Sequence, residues 1–332
     1  MSVQRTVATG LNVPWGLALL PDRNELLVTS RDDHTVSRIN LDTGKRTTVA
    51  TIKQAVSNVD AGGEAGLLGI ALSPKFSSDR LVYLYYSTAK DNRIARFRYD
   101  ADRPAGDQLT RQQVILSGIP LGIHHNGGRI AFGPDGRLYA STGEAGDPAL
   151  AQKKSSLGGK ILRMTATGQP APGNPEQNSV VWSYGHRNVQ GLTWDRAGRL
   201  WASEFGDRTA DELNLIKPGH NYGWPATQGK TKIGEYTSPV AQWGTEEDSP
   251  SGVAYASGSV WMAALRGERL WRIPLRGTKP VAAPADFLVH DYGRLRSVLA
   301  LTDHRLLVTT SNTDGRGARQ NGDDRILLLK VS

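Results

Sequence analysis

Short apolar segments separated by tight turns recur along this chain, and that recurrence restricts its fold more than any other feature. Leu17-Ala-Leu-Leu-Pro21-Asp22-Arg-Asn-Glu-Leu26-Leu-Val-Thr29 reads as strand, turn, strand. The same unit returns at Ile70 to Pro74 with Asp79 to Tyr86, at Ile130 to Thr142 around Pro134-Asp135-Gly136, and at Leu192 to Ser203 around Asp195 and Gly198. Weaker copies are Gly258–Ala263 with Leu270–Ile273, and Val298–Thr309 around Asp303. Asp or Gly supplies each turn, and alternating apolar residues supply half-buried strands.

The period is on the order of 55 residues, inside the range of propeller blades. Dividing the 332 residues by it predicts an all-β chain: a six-bladed β-propeller of four-stranded antiparallel sheets around a central channel, one domain over residues 1–332. A β-sandwich or several small β domains is the alternative, and the regular spacing without linkers favours the propeller. Helical signals are few, and the best candidate is a short turn over residues 149–157. Propellers bind ligands where loops from every blade converge at a channel mouth, so functional residues are expected along the whole chain.

Composition narrows the function. There is no cysteine, which removes disulfides and thiolate metal sites. No apolar run is long enough to span a membrane. The opening Met1-Ser-Val-Gln-Arg-Thr does not read as a signal peptide. The net charge is +8, yet the basic residues are scattered single arginines rather than a block, so no nucleic-acid partner is expected. A basic interior that receives a small polyanion accounts for the charge equally well.

One run stands out chemically: His124-His125-Asn126-Gly127-Gly128-Arg129, on a loop between Ile119-Pro-Leu-Gly-Ile123 and the strand-like Arg129-Ile-Ala-Phe132. Adjacent histidines cannot both face inward on a strand. One of them is therefore free to meet a ligand, and imidazole exchanges protons near neutral pH.

Several runs together resemble the glucose/sorbosone dehydrogenase family. They include Gly66-Leu-Leu-Gly-Ile-Ala-Leu-Ser-Pro-Lys-Phe76, His125-Asn-Gly-Gly-Arg129, Leu157-Gly-Gly-Lys-Ile-Leu-Arg163, Tyr184-Gly-His-Arg-Asn-Val-Gln-Gly-Leu192 and Ser203-Glu-Phe-Gly-Asp207. Asp211-Glu-Leu-Asn-Leu215, Asn221-Tyr-Gly-Trp-Pro225, Arg294-Leu-Arg296 and Thr310-Ser-Asn-Thr-Asp-Gly315 follow in the family's order. The resemblance implies a propeller that holds pyrroloquinoline quinone (PQQ) and Ca²⁺. It implies oxidation of an aldose at its anomeric hydroxyl to a lactone, with electrons passed to an unidentified acceptor other than oxygen or nicotinamide. It further implies a periplasmic or secreted mature chain, monomer or homodimer.

Residue by residue, His125 matches the family's general base. His124 stands where an aspartate contacts sugar. Arg187, Asn188, Arg294 and Arg296 match cofactor contacts, Arg266 falls near a cofactor lysine, and Asn312 falls where an aspartate often stands. Planar guanidinium forks suit the three carboxylates of PQQ. Glu64 replaces a glutamine that meets cofactor and sugar, and a carboxylate there repels PQQ unless it is protonated or paired. Gly206 and Asp207 match backbone-carbonyl ligands of the catalytic Ca²⁺, with Phe205 beside them where a glutamine is frequent. Glu212 and Tyr222 match a second, structural calcium site. Two other classes fit a propeller: a calcium-dependent sugar-lactone hydrolase, which needs several carboxylates converging on the metal, and a non-catalytic binding module, which needs neither the base nor the arginines.

Overall fold

The computed structural model describes residues 1–21 and 24–332. It contains six small antiparallel sheets in a ring, a six-bladed β-propeller. Blade one comprises Pro14–Leu19, Glu25–Ser30, Thr35–Asn40 and Arg46–Thr51, from channel to rim. Blades two, three and four follow with innermost strands Leu67–Leu72, Ile130–Phe132 and Asn188–Trp194. Blade five begins at Pro250–Ala256 and carries an additional short strand, Ala285–Phe287, paired to Arg269–Arg276. Blade six begins at Leu295–Thr302, and its outermost strand is the N-terminal Ser2–Ala8, paired with Ile326–Lys330. The two ends of the sequence thus share a sheet, which closes the ring.

The repeat units match the first two strands of five blades. The fifth unit does not: Gly258–Ala263 with Leu270–Ile273 covers the second and third strands of its blade, and the innermost strand Pro250–Ala256 lies outside it. Its Pro-Ser-Gly start lacks the apolar run that marked the others. In the second unit the connection is a helical turn, Phe76–Asp79, rather than a tight turn. The Asp22 turn of the first unit lies outside the described residues. The expected helical turn is present but shorter, Ala149–Gln152. Among the described residues no helix is long and apolar enough to cross a membrane.

Turn chemistry and core chemistry are coupled. In blade four, Asp195 accepts hydrogen bonds from the turn amides of Ala197 and Arg199 at 2.9 and 3.1 Å. Its other oxygen accepts the indole N–H of the fully buried Trp201 at 2.9 Å. Six apolar clusters fill the six gaps between consecutive blades. Each sheet is therefore buried on both faces, and strands such as Ser259–Ala264 are buried throughout. Tyr83, Tyr85 and Tyr86 are fully buried in these gaps, each contributing about 2 kcal/mol of apolar burial.

The innermost strands approach one another closely. A Cβ at Gly69 would lie 2.2 Å from the Gly128 carbonyl of the next blade, so only glycine fits there. Gly16, Gly191 and Gly252 occupy the same register in blades one, four and five. This narrows the channel and leaves room for ligands only at its mouths.

Candidate active site

One mouth of the channel opens into a chamber of about 330 Å³. Four of the expected residues line it: Glu64, Arg266, Arg294 and Arg296, together with Phe205. Arg31, Arg316, Trp15 and Gln190 line it too, and none of these was singled out in the sequence. Single arginines carry no pattern of their own. Of the three expected arginines in the lining, Arg294 and Arg296 stand in a motif and Arg266 falls near a family lysine.

Arg294 and Arg296 come from the start of the blade-six inner strand, and their two-residue spacing puts both on one side. Both donate to the same oxygen of Asp314, at 3.0 and 3.1 Å. Arg296 also donates to Ser311 at 2.8 Å. Burial pulls its pKa down to about 10, with Asp314 opposing, so it stays cationic at neutral pH. Arg31 is buried and held by Asp32 at 2.8 Å. Arg266 is more exposed and pairs with Glu246. Asn312 is buried beneath Arg294: it accepts that residue's backbone N–H at 2.8 Å and donates to the Tyr292 carbonyl and Asp323 at 2.9 Å each.

Glu64 is paired. Its Oε1 accepts from Arg316 at 2.8 Å, and its Oε2 accepts the backbone N–H of His125 at 3.1 Å. Burial pushes this carboxyl up, but Arg316 and the His125 amide together outweigh it and hold the group below its ordinary pKa. The charge at position 64 is thereby neutralised within the wall. Arg316 reaches His124 as well, with Nη2 3.3 Å from Nδ1.

The histidine loop is shaped by Asn126. Its Oδ1 accepts from Asn92 and from the Gly122 amide, its Nδ2 donates to the Gly122 carbonyl, and its own carbonyl accepts the buried Tyr85 hydroxyl at 2.8 Å. The following Gly127 donates its N–H to Asn188 at 3.0 Å. His124 is exposed, and His125 adopts a left-handed φ of 59° with its side chain 19% exposed. His125 stands beside the chamber rather than in its lining, between the lining residues Glu64 and Asn126. Its Nδ1 lies 2.9 Å from Oε1 of the buried Glu144. Gly143 permits this approach, since a Cβ there would lie 1.9 Å from the His125 carbonyl. Glu144 was not read from the sequence, where it is one acid among Gly-rich turn residues.

Arg187 donates to Asp207 at 3.0 Å and stacks over Trp224 at 5.4 Å. Its Nε is buried with no protein partner among the described residues, which leaves a donor for a ligand acceptor. Next to it, Ser183, His186 and Glu204 form a chain with spacings of 2.8 and 2.7 Å. That is the connectivity of a hydrolytic triad, but Ser183 and His186 have no exposed surface, so no carbonyl carbon can reach the hydroxyl.

The Gly206–Asp207 turn is held by Asp211, which accepts the Gly206 N–H at 2.7 Å, and by Gln228, which accepts the Asp207 N–H at 3.0 Å. Glu212 is buried one residue on. Burial and the neighbouring Glu204 push its pKa up to about 8. Asn214 donates to both carboxylates, at 2.9 and 3.1 Å, while its Oδ1 is buried and unpartnered. An orphaned acceptor beside two carboxylates is a donor set that suits a hard cation. Tyr222 stacks on His186 at 4.6 Å and donates its hydroxyl to the Leu215 carbonyl. Among the described residues no three His, Asp or Glu side chains gather as a metal cage, so a cation would depend on backbone carbonyls.

The fold and site define a six-bladed propeller with an arginine-walled polar chamber at one mouth and a carboxylate-oriented histidine beside it. Residues 11–327 match the glucose/sorbosone dehydrogenase family, and the chain belongs to that family. Among solved structures it is similar to the PQQ-bound form of an aldose sugar dehydrogenase from Streptomyces coelicolor, with 59% identity, a TM-score of 0.97, and coverage of 99% of this chain and 97% of that one. It is 30% identical to the aldose sugar dehydrogenase YliI of Escherichia coli over 97% of this chain and 90% of that protein. It is 31% identical to quinoprotein glucose dehydrogenase B of Acinetobacter calcoaceticus over 77% of this chain. The match spans about three fifths of that glucose dehydrogenase and of a Synechocystis relative.

Proposed function

We propose that this chain, as one domain, is a PQQ- and calcium-dependent aldose dehydrogenase that converts the anomeric hydroxyl to a lactone. The observation that carries the reading is the chamber wall, where Arg31, Arg294, Arg296 and Arg316 converge from two ends of the sequence. Such a wall suits a ligand with several carboxylates, and the orphaned Arg187 Nε adds a donor. When bound, PQQ would supply the acceptor for the C1 hydride, which carries the electron pair, and calcium would supply a Lewis acid.

This chain's own residues do the rest. Glu144 accepts a hydrogen bond from the Nδ1–H of His125, which leaves Nε2 as the basic nitrogen. His125 takes the proton of the sugar C1 hydroxyl at Nε2, and the Glu144 carboxylate stabilises the imidazolium that forms. Arg316 and His124 stand at the rim beside Glu64, where they contact the sugar hydroxyls. Gly206 and Asp207 would hold the catalytic cation through their carbonyls. Glu212 and the Tyr222 carbonyl hold a second one, next to the unpartnered Asn214 oxygen. Asn188 and Asn312 position the Gly127 amide and Arg294, respectively. Periplasmic or secreted location and a monomeric or homodimeric state belong to the same reading.

The test is titration of calcium-loaded protein with PQQ, followed by anaerobic addition of an aldose while the quinone absorption is recorded. Saturable binding and bleaching by sugar are expected. Failure to bind PQQ would overturn the reading. Binding without bleaching across a panel of aldoses would remove the sugar oxidation and leave a quinone-binding propeller.

A further inference from the structure

The channel has a second mouth. On the face away from the arginine chamber is a hollow of about 210 Å³. Leu17, Ile70, Ala131, Leu192, Val253 and Val298 line it, one from each innermost strand. Its only charged wall among the described residues is Arg129.

Arg129 sits in the glycine register of the blade-three inner strand, and Arg296 sits one residue before the same register in blade six. Blades three and six are opposite in a ring of six, and the Arg296 charge lowers the affinity of Arg129 for a proton. Their partners differ. Arg296 turns towards the chamber and is neutralised by Asp314. Arg129 stacks on the indole of Trp15 at 4.3 Å and donates to the Gln190 carbonyl at 2.9 Å, the Ser297 hydroxyl at 3.1 Å and the Trp15 carbonyl at 3.4 Å. All three acceptors are neutral, and no carboxylate among the described residues pairs with it. These contacts use three of the five guanidinium N–H groups. Trp15 lines the chamber while Arg129 lines the hollow, so the stacked pair is the floor of one and the roof of the other. Burial without a counter-charge pulls the Arg129 guanidinium down to about 9, and it remains cationic at neutral pH.

A cation without a counter-ion, at the end of an apolar hollow, is complementary to an anion with an apolar body. We propose that this second mouth is a binding site for a small monocarboxylate with a compact hydrophobic body. Its carboxylate lies on the remaining N–H groups of Arg129, and its body lies among the six inner-strand side chains. The site is independent of what fills the chamber.

Isothermal titration of the full chain with benzoate tests this, with benzyl alcohol as the uncharged match. Saturation at about 1 mM or below is expected for a ligand of this size, with benzyl alcohol at least about tenfold weaker. Arg129→Gln and Ala131→Phe are each expected to weaken benzoate about tenfold or more. Ala131→Phe fills the hollow without removing the guanidinium, so it keeps the test valid if the arginine variant does not fold. Arg294→Gln, in the chamber, is expected to leave benzoate binding unchanged. Binding that survives Ala131→Phe and is lost with Arg294→Gln would locate the carboxylate in the chamber and overturn the proposal. Benzyl alcohol binding as tightly as benzoate, or no saturation with benzoate by about 20 mM, would overturn it as well.

Discussion

Glu144 holds the Nδ1 edge of His125 at 2.9 Å from a position that is itself 2% exposed. The acid comes from the loop after the second strand of blade three, and the histidine comes from the loop before the first. A buried carboxylate on one imidazole nitrogen selects the tautomer that leaves the other basic. Glu144→Gln preserves the shape and removes that selection. We expect kcat with aldose to fall by about 10²-fold or more while PQQ affinity changes little. Steady-state kinetics beside a PQQ titration reads both. A kcat within threefold of wild type would show that Glu144 does not orient the base.

Under the proposed function, stabilisation by calcium follows pH through Glu212. Its carboxyl is pushed up to about 8, first by burial and then by Glu204. In metal-free protein the folded state keeps a proton that the unfolded chain releases. The stability this contributes is full at low pH and is lost as pH rises from the usual carboxylate range through about 8. A bound cation replaces the proton, so the rise in Tm on adding calcium should grow between pH 6 and pH 8. Glu212→Gln should flatten both trends. Melting curves in calcium and in chelator, at each pH, measure this.

Asp314 is the shared counter-ion of two buried arginines. Burial opposes its ionisation, but Arg294 and Arg296 outweigh burial and hold it below the usual carboxylate range. Its stabilising contribution is present above pH about 4 and fades as pH falls through its lowered pKa. Asp314→Asn leaves two cations without a partner and should cost about 3–5 kcal/mol. Denaturant melts at pH 7 should show that loss, and the gap between variant and wild type should narrow towards pH 3.

Asp248 is the converse case. It is fully buried, and neither oxygen has a hydrogen-bond partner among the described residues. Burial and the nearby Asp211 raise its pKa well above the ordinary value, so folding favours its protonated form. Stability is lost as pH rises from the carboxylate range through that raised pKa. Asp248→Asn keeps the shape and cannot ionise. It should raise stability at pH 8 by about 1–3 kcal/mol, a shift of a few degrees in Tm, with less gain at pH 4.5. An equal or larger gain at the acid end would contradict this origin.

How far the sequence reached depended on whether a feature was local. Blade units were legible because alternating apolar residues and Asp or Gly turns act over a dozen residues, as at Asp195 and Gly198. The innermost strand of blade five was missed because Pro250-Ser-Gly carries small residues where neighbouring backbones touch. Arg294 and Arg296 were placed on one side by their spacing alone. Their common partner Asp314 was not, because a loop brings it back from 18 residues on.

The sequence by itself determined the number and order of blades, because the pattern of each strand pair is written in contiguous residues. Only the tertiary structure decided which charges are cancelled and which are not. Glu64 meets Arg316 from 252 residues away, Glu144 stands behind His125, and Arg129 is left with neutral acceptors while Arg296 on the opposite blade has a carboxylate. Charge compensation depends on distances of a few ångströms across a closed ring. Those distances exist only once the first strand has paired with the last.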